Sequence, residues 1–337
     1  MKIAVDAMGG DFGPRVAVEG AVRASQDFNI EVLLVGDEKA ICKEFDKLGG
    51  RRTLVTIVDA PDAIGMGEGL LAFRRKKKSS IRVGAELVRS GQAGAFVSMG
   101  NTAAVVSISR KVIGALRGVD KPALALLAPG AAGLTLLIDV GANANCLPHH
   151  LVQFAVMGKT FMETAMGLKD PRVGLMSIGE EDNKGNDLTR DTYEMLQDSP
   201  LRFVGNIEGK DLYSGKADVV VSDGFTGNVA LKVSEGVVDT LVSMARTEIM
   251  KNFFAKIGFL LMKRNLKKVY KKLDYSEYGG AHLLGLNGVC IIGHGRSNAT
   301  AVRNAVRNSG RFVMEKIHER IQNELPRFEK AWKGAGG

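Results

Sequence analysis

Two short stretches of this chain carry the residue types that hold an anion. Val219-Val220-Val221 reads as a continuously apolar strand that a sheet can bury on both faces. Ser222-Asp223-Gly224 ends it, and Thr226-Gly227-Asn228 turns the chain into a helix. The apolar positions of that helix, Val229, Leu231, Val233, Val237, Val238 and Leu241, read as its buried face. A strand leading through small residues into a helix N-terminus leaves backbone N–H groups unpaired at the end of the sheet, where the helix dipole is positive. That geometry suits phosphate. The same order occurs 124 positions earlier, where Ser98, Gly100 and Thr102 match Ser222, Gly224 and Thr226. We read the two loops as converging on one ligand, with Gly100, Asn101 and Thr102 on one side and Gly224, Thr226, Gly227 and Asn228 on the other.

The elements that must position these loops alternate. Strands are expected at 2–6, 30–35, 53–58, 95–98, 123–128, 135–139, 172–177, 203–204, 219–221 and 289–292, with helices at 16–24, 38–48, 81–90 and from 102. This is the pattern of βαβ units and a mostly parallel sheet between helices. Asp6 with Gly9-Gly10, Gly36-Asp37, Gly100-Asn101, Asp139 with Asn143, Gly179-Glu180 and Asp223-Gly224 all follow strands. In open α/β sheets the ligand lies at that edge. Turn chemistry explains any one of these loops equally well. The long segment 60–80 between the third strand and the next helix has the length of a functional loop. Ser79 or Ser80 is placed to cap the helix that follows it.

Composition bounds the class. The 337 residues, 45% hydrophobic and 25% charged, suffice for one α/β domain with up to two lobes, expected over 1–325, with a disordered tail at 326–337. Three cysteines cannot frame a disulfide scaffold, and Met1 leads straight into a strand, so a cytoplasmic protein is expected. The longest uncharged run, 122–138, holds two prolines and two glycines and reads as two strands with a turn, not a membrane span. The net charge of +9 is concentrated. Arg74, Arg75, Lys76, Lys77 and Lys78 are consecutive, and 250–273 holds eight Lys/Arg and no acid. No zinc-finger or RNA-binding signature accompanies these charges, so no nucleic-acid partner is expected. Gly158-Lys159-Thr160 lacks the first P-loop glycine, and no glycine set fits G-x-G-x-x-G, so no nucleotide cofactor is expected.

Phe253, Phe254, Ile257, Leu260 and Leu261 recur at helical spacing with lysines between them, and Leu266, Val269, Tyr270 and Leu273 continue the pattern. We read 246–275 as an amphipathic helical hairpin broken at Gly258, with Phe259 to Met262 at its tip. Two uses fit: packing on a partner subunit, or insertion of Phe253, Ile257, Phe259, Leu260 and Leu261 into an anionic lipid surface.

Eight motifs in one order now carry a resemblance. They are AVDAMGGD (4–11), RRKKKSS (74–80), SMGNTAA (98–104), DVGAN (139–143), GEEDNKGN (179–186), SDGFTGN (222–228), YGGAHLLGLNG (278–288) and HGRSN (294–298). Over nearly its whole length the chain resembles the bacterial phosphate acyltransferase (PlsX) family. The resemblance implies a homodimeric α/β fold like that of isocitrate and isopropylmalate dehydrogenases. It implies acyl transfer from acyl carrier protein to inorganic phosphate, for phospholipid synthesis. It further implies a cytoplasmic enzyme peripheral to the membrane, whose product passes to a membrane glycerol-3-phosphate acyltransferase. Phe12-Gly13 stands where relatives often carry His-Ala, which puts in doubt a catalytic histidine there.

That chemistry requires two anionic partners to be held together and an oxyanion to be stabilised, without a strong base. On this reading Lys184 supplies positive charge, Asn228 or Asn143 donates to the carbonyl oxygen, and Asp6, Asp139 and Asp223 orient donors around the phosphate loops that include Gly10. Arg74 to Lys78 attract the acidic carrier. Cys146 with His149 and His150 offers a lesser route, an acyl-cysteine intermediate; the spacing holds too few further ligands for a metal. A phosphotransacetylase-like enzyme using acyl-coenzyme A is chemically close to this reading, and a membrane scaffold without catalysis would account for the hairpin but not for the two glycine loops.

Overall fold

A computed structural model describes residues 1–49, 54–273 and 279–330. The strands are β1 (Lys2–Asp6), β2 (Glu31–Gly36), β3 (Val55–Asp59), β4 (Ala95–Ser98), β5 (Ala123–Gly130), β6 (Gly133–Ile138), β7 (Val173–Met176), β8 (Phe203–Ile207), β9 (Val219–Val221), β10 (Ala281–Leu284) and β11 (Val289–Ile292). The helices are α1 (Pro14–Phe28), α2 (Glu38–Lys47), α3 (Leu70–Arg75), α4 (Ser80–Arg89), α5 (Thr102–Val112), α6 (Pro148–Met166), α7 (Asp187–Gln197), α8 (Gly224–Lys251), α9 (Phe253–Leu273), α10 (Ala299–Met314) and α11 (Ile317–Glu324). The strands form one sheet in the order β3-β2-β1-β4-β11-β10-β5-β6-β9-β7-β8. The expected α/β class, a largely parallel sheet between helices, is the one observed.

Apolar strands explain the sheet's interior. Every residue of β4, β9 and β11 is buried, because helices cover both faces. One apolar cluster lies under α1, α6 and α10, the other under α4 and α5. Helices that leave the sheet start on capped residues: Asp37, Ser79, Asn101, Asn186, Asp223 and Asn298 each accept a first-turn N–H. Many of the Asp and Asn residues at strand ends are thus explained as caps.

One topological feature overturns the expectation of a single ligand edge. β1, β4 and β11 are mutually parallel, but β10 is antiparallel to both β11 and β5, and β5 is antiparallel to β6. β6, β9, β7 and β8 therefore run opposite to β1, β4 and β11. The loops after β4 and after β9 leave the sheet in opposite senses. Five strand steps separate those strands, about 24 Å at the usual interstrand spacing. Within one chain the two loops do not meet on one phosphate. The reversal comes from β10, a strand that the sequence pattern does not announce, and from the tight β5–β6 hairpin.

Three further expectations are corrected. Most of the apolar side of α8 is exposed, not buried: Val229 is 48% exposed, Val233 61%, Val237 52% and Leu241 60%, while Leu231 is half-buried against the core as expected. No other element among the described residues covers the exposed part. The helical break falls at Asn252, whose extended backbone separates α8 from α9, and Gly258 lies inside α9. Residues 274 and 275 of the expected hairpin, and the side chains of Val269, Tyr270 and Leu273, lie outside what is described. The chain beyond 325 continues as a helical turn, Leu325–Phe328, with Phe328 buried against the core; residues 331–337 of the expected tail lie outside the described residues. The 60–80 segment holds the short helix α3. No helix among the described residues is long and apolar enough to cross a membrane.

Candidate functional site

The first loop set surrounds a buried carboxylate. Asp6, at the end of β1, takes the Ser98 hydroxyl on Oδ2 at 2.6 Å and the Met8 N–H on Oδ1 at 3.0 Å. Ser98 Oγ in turn accepts the Gly100 N–H at 3.0 Å. Burial raises the Asp6 carboxyl above its ordinary value, against hydrogen bonds from Ser98, Ser80, Met8 and Gly9 that lower it. Asp6 thus fastens β1 to β4 and does not face a ligand. Gly9 must lack a side chain, since a Cβ there would lie 2.6 Å from both Asp6 Oδ2 and the Gly100 nitrogen. Gly10 adopts the left-handed region (φ 85°), so the β1 loop turns back on itself. Asp11 N–H then donates to the Gly295 carbonyl at 2.8 Å, and Gly293 N–H to the Ser98 carbonyl at 2.9 Å. The loops after β1, β4 and β11 close into one unit. Its β11 part is the HGRSN motif, to which residue chemistry alone assigns no role; its place among the eight motifs is the signal that could have found it.

Helix α5 rises from this unit. Asn101 caps it, with Oδ1 accepting the Ala104 N–H at 3.1 Å, while its side-chain amide donates to the Met66 carbonyl at 2.8 Å and the Glu68 carbonyl at 3.2 Å. Thr102 and Ala103 are exposed, and their N–H groups have no acceptor among the described residues. Two free donors at the positive end of a helix can donate to an anion; we call this turn the nest.

The second loop set looks alike in sequence and differs in its donors. Here the helix begins two residues sooner after the matching serine, so Asp223 is the cap. Its Oδ1 accepts the N–H groups of Phe225 and Thr226, both at 2.9 Å, and its Oδ2 accepts the Thr226 hydroxyl at 2.7 Å. Gly224 N–H donates to the Asn143 carbonyl at 2.8 Å, and Gly227 N–H to the Asp223 carbonyl at 3.0 Å. The protein's own carboxylate occupies the place assigned to phosphate, so Asp223, Gly224, Thr226 and Gly227 are corrected to structural roles. Gly227 is a close-approach position: a Cβ would lie 2.0 Å from the Asp139 carbonyl oxygen.

Asp139 organises this second set from below. It is fully buried and accepts five N–H groups, from the backbones of Leu124, Gly141, Ala142 and Asn143 and from the Asn143 side chain, at 2.8 to 3.1 Å. Burial raises its carboxyl, but every neighbour presents a donor, and a carboxyl proton would have no acceptor; the ionised form fits. The two side-chain hydrogens of Asn143 are spent on Asp139 and on the Pro122 carbonyl, both at 2.8 Å. Asn143 therefore cannot serve as an oxyanion donor, and Asp139 does not touch ligand. Asn228 and Lys184 remain: both are exposed, and neither side chain has a hydrogen-bond or ion-pair partner among the described residues. An open depression of about 370 Å³ is lined by Asn145, Cys146, Asn186, Leu188, Asp223 and Phe225 among others; neither Lys184 nor Asn228 lines it.

The covalent route loses its nucleophile. Burial pushes the Cys146 thiol up to about 11, so it is protonated near neutral pH. The trio Asp120, His149 and His150 brings its ligand atoms within 4.8 Å of one another. His150 Nδ1 accepts the Leu147 N–H at 2.9 Å, however, and burial lowers the ring to about 4. The neutral ring then carries its proton on Nε2 and has no free lone pair for an ion. Of the five consecutive cations, Arg74, Arg75, Lys77 and Lys78 are exposed, whereas Lys76 is tied to both Glu68 oxygens at 2.7 and 2.8 Å and to the Ala63 carbonyl at 2.6 Å.

The fold is one shared with solved enzymes. A phosphotransacetylase from Streptococcus pyogenes superposes with a TM-score of 0.61 at 17% identity, covering 94% of each chain. A 4-hydroxythreonine-4-phosphate dehydrogenase from Klebsiella pneumoniae superposes at 0.52 and 13% identity, covering 93% of this chain and 99% of its own. The class is therefore an α/β fold, a largely parallel sheet covered by helices on both faces. The family follows from sequence. The family model described as "Fatty acid synthesis protein" matches residues 1–320. Proteins named phosphate acyltransferase match at 47% identity in Pelotomaculum thermopropionicum (100% of this chain, 98% of that one) and 44% in Thermodesulfovibrio yellowstonii (98% and 96%). The chain belongs to the phosphate acyltransferase family.

Proposed function

We propose that this enzyme transfers a long-chain fatty acyl group from acyl carrier protein to inorganic phosphate, giving acyl phosphate for phosphatidic acid synthesis. The observation that carries the reading is the nest at α5, with two free N–H donors beside a carboxylate that is turned inward and engaged by the protein. Phosphate held there keeps an oxygen directed outward. That oxygen attacks the thioester carbon, an O–C bond forms, and the carbonyl pair moves to oxygen. On collapse the C–S bond breaks, and the carrier thiolate leaves and takes a proton from solvent. Near neutral pH a large share of phosphate is already dianionic, so the catalyst's task is positioning and charge stabilisation.

A homodimer follows from the same reading. Asn228 follows β9 and Lys184 follows the neighbouring β7, so along the sheet of their own chain they stand on strands about 24 and 29 Å from β4. They act on the nest's phosphate only if a partner supplies them, Lys184 as the cation and Asn228 as the carbonyl donor. The exposed apolar side of α8, which begins at Val229 next to Asn228, is the surface on which a second copy would pack. The projecting α9, with Phe253, Ile257, Phe259, Leu260 and Leu261 exposed, suits peripheral contact with an anionic membrane, near the membrane glycerol-3-phosphate acyltransferase that would consume the product.

Incubation with long-chain acyl-carrier protein tests the core of this. Phosphate-dependent release of carrier thiol is expected, and its absence would remove the function. Acyl-coenzyme A as an equal or better donor would favour a phosphotransacetylase-like enzyme instead. Subunit mixing tests the dimer. Two inactive variants, K184A and one with a disrupted nest, should recover about a quarter of wild-type activity when refolded together, since half the dimers would then hold one intact site of two. No recovery refutes the shared site.

A further inference from the structure

The segment 62–80 is folded as one unit. Its ends are stapled: Asp62 and Ser79 form a parallel bridge, Ser80 N–H donates to the Asp62 carbonyl at 3.1 Å, and Lys78 N–H donates to Asp62 Oδ2 at 3.3 Å. Its middle is braced by Lys76, which joins Glu68 to Ala63. Its tip meets the body through Asn101, whose side-chain amide binds the carbonyls of Met66 and Glu68. What the unit presents outward is of two kinds. Met66 (44% exposed) and Leu71 (68%) are apolar, and Arg74, Arg75, Lys77 and Lys78 are cationic. An apolar chain attached to an acidic carrier complements both, a match that rests on the acyl transfer proposed for this enzyme.

One carboxamide makes both sets of bonds: its Oδ1 accepts the Ala104 N–H of the cap while its Nδ2 donates to both flap carbonyls, so the cap bond orients the amide toward the flap. That bond exists only while the first turn of α5 is formed. The free N–H groups of Thr102 and Ala103 belong to the same turn, and an anion bound there holds the turn in place. We propose that Asn101 is a positioning residue, a clip through which phosphate in the nest fastens the 62–80 flap in the orientation that receives the acyl donor. Asn101 does not bind phosphate with its side chain, which is fully used. It passes the occupancy of the nest to the surface that recruits the second substrate, so that phosphate binds first and the donor meets an ordered flap.

Trypsin reads this on the intact protein, since Arg74, Arg75, Lys77 and Lys78 lie in the flap. Calorimetry with inorganic phosphate sets the Kd. At ten times that Kd, cleavage in the flap should slow about 10-fold, the factor by which a ligand that binds only the closed form lowers the open population. In N101S the hydroxyl still caps Ala104 while the amide donors are gone, and at matched phosphate saturation the slowing should disappear. Hydrogen exchange over 62–78 in the wild-type protein gives the same answer if N101S folds poorly. Saturating phosphate without protection of the wild-type flap overturns the proposal, and so does equal protection in N101S. Failure of phosphate to bind at all would instead take down the nest, and the reading of function with it.

Discussion

Removing the Ser98 hydroxyl tests the buried centre of the first loop set. In S98A, Asp6 Oδ2 loses a 2.6 Å hydrogen bond in a fully buried site, and the Gly100 N–H loses its acceptor at 3.0 Å. A hydrogen bond to a charged acceptor contributes about 1.5–3 kcal/mol, and a stranded buried N–H costs at least about 1 kcal/mol. The expected loss at pH 7 is therefore about 3 kcal/mol, a shift of several degrees in Tm or a clear fall in urea midpoint. The loss also has a predicted pH dependence. Burial already raises the Asp6 carboxyl, and Ser98 is the first of the groups that lower it. Without Ser98 the folded-state value rises further, while the unfolded value is unchanged. An acid whose folded value is raised contributes stability at low pH that is lost as pH rises through that value. S98A must therefore differ most from wild type at neutral pH, and the gap must narrow as the pH falls and Asp6 is protonated in both proteins, leaving the share of the stranded Gly100 N–H. Urea unfolding at a series of pH values from neutral down through the ordinary carboxylate range measures it. A gap that is flat, or that widens in acid, would falsify the account of Asp6 as a carboxylate held by Ser98.

Three other outcomes are expected. G227A should lose several kcal/mol and fold poorly, because the added Cβ would lie 2.0 Å from the Asp139 carbonyl oxygen and 2.5 Å from Ser222 Oγ; a Tm within a few degrees of wild type would contradict that packing. His282 is wholly buried between Phe161 and Phe312, its ring nitrogens have no partner among the described residues, and burial lowers it to about 3. The unfolded chain takes up that proton first, so His282 should remove about 1.6 kcal/mol of stability between pH 6.5 and 5, beside a similar share from His150, and H282F should make this limb of a urea titration shallower by the His282 share; an unchanged slope would contradict it. Replacing Phe259, Leu260 and Leu261 together with serine should abolish sedimentation with anionic liposomes while leaving turnover on acyl-carrier protein in solution; retained sedimentation would rule out α9 as the membrane contact.

The sequence by itself determined the local elements and the family. Apolar triplets such as Val219 to Val221 have no stable option but a covered strand, and Asp37, Ser79, Asn101 and Asn186 cap helices through bonds to residues three positions on. Signals of that kind are complete within a few residues. The echo between Ser98-Gly100-Thr102 and Ser222-Gly224-Thr226 is also real as a pattern, yet it misleads, because a pattern does not say which residue becomes the cap. Asn101 leaves two N–H groups of its helix free, and Asp223 consumes those of its own. Tertiary structure alone decided that the two loops stand on opposite-running strands, since that depends on how β10 and the β5–β6 hairpin insert between strands far apart in sequence. It likewise decided that the amide hydrogens of Asn143 are spent and that most of the apolar side of α8 is uncovered by the described residues. Burial and hydrogen-bond commitment are properties of long-range contacts, and no window of sequence contains them.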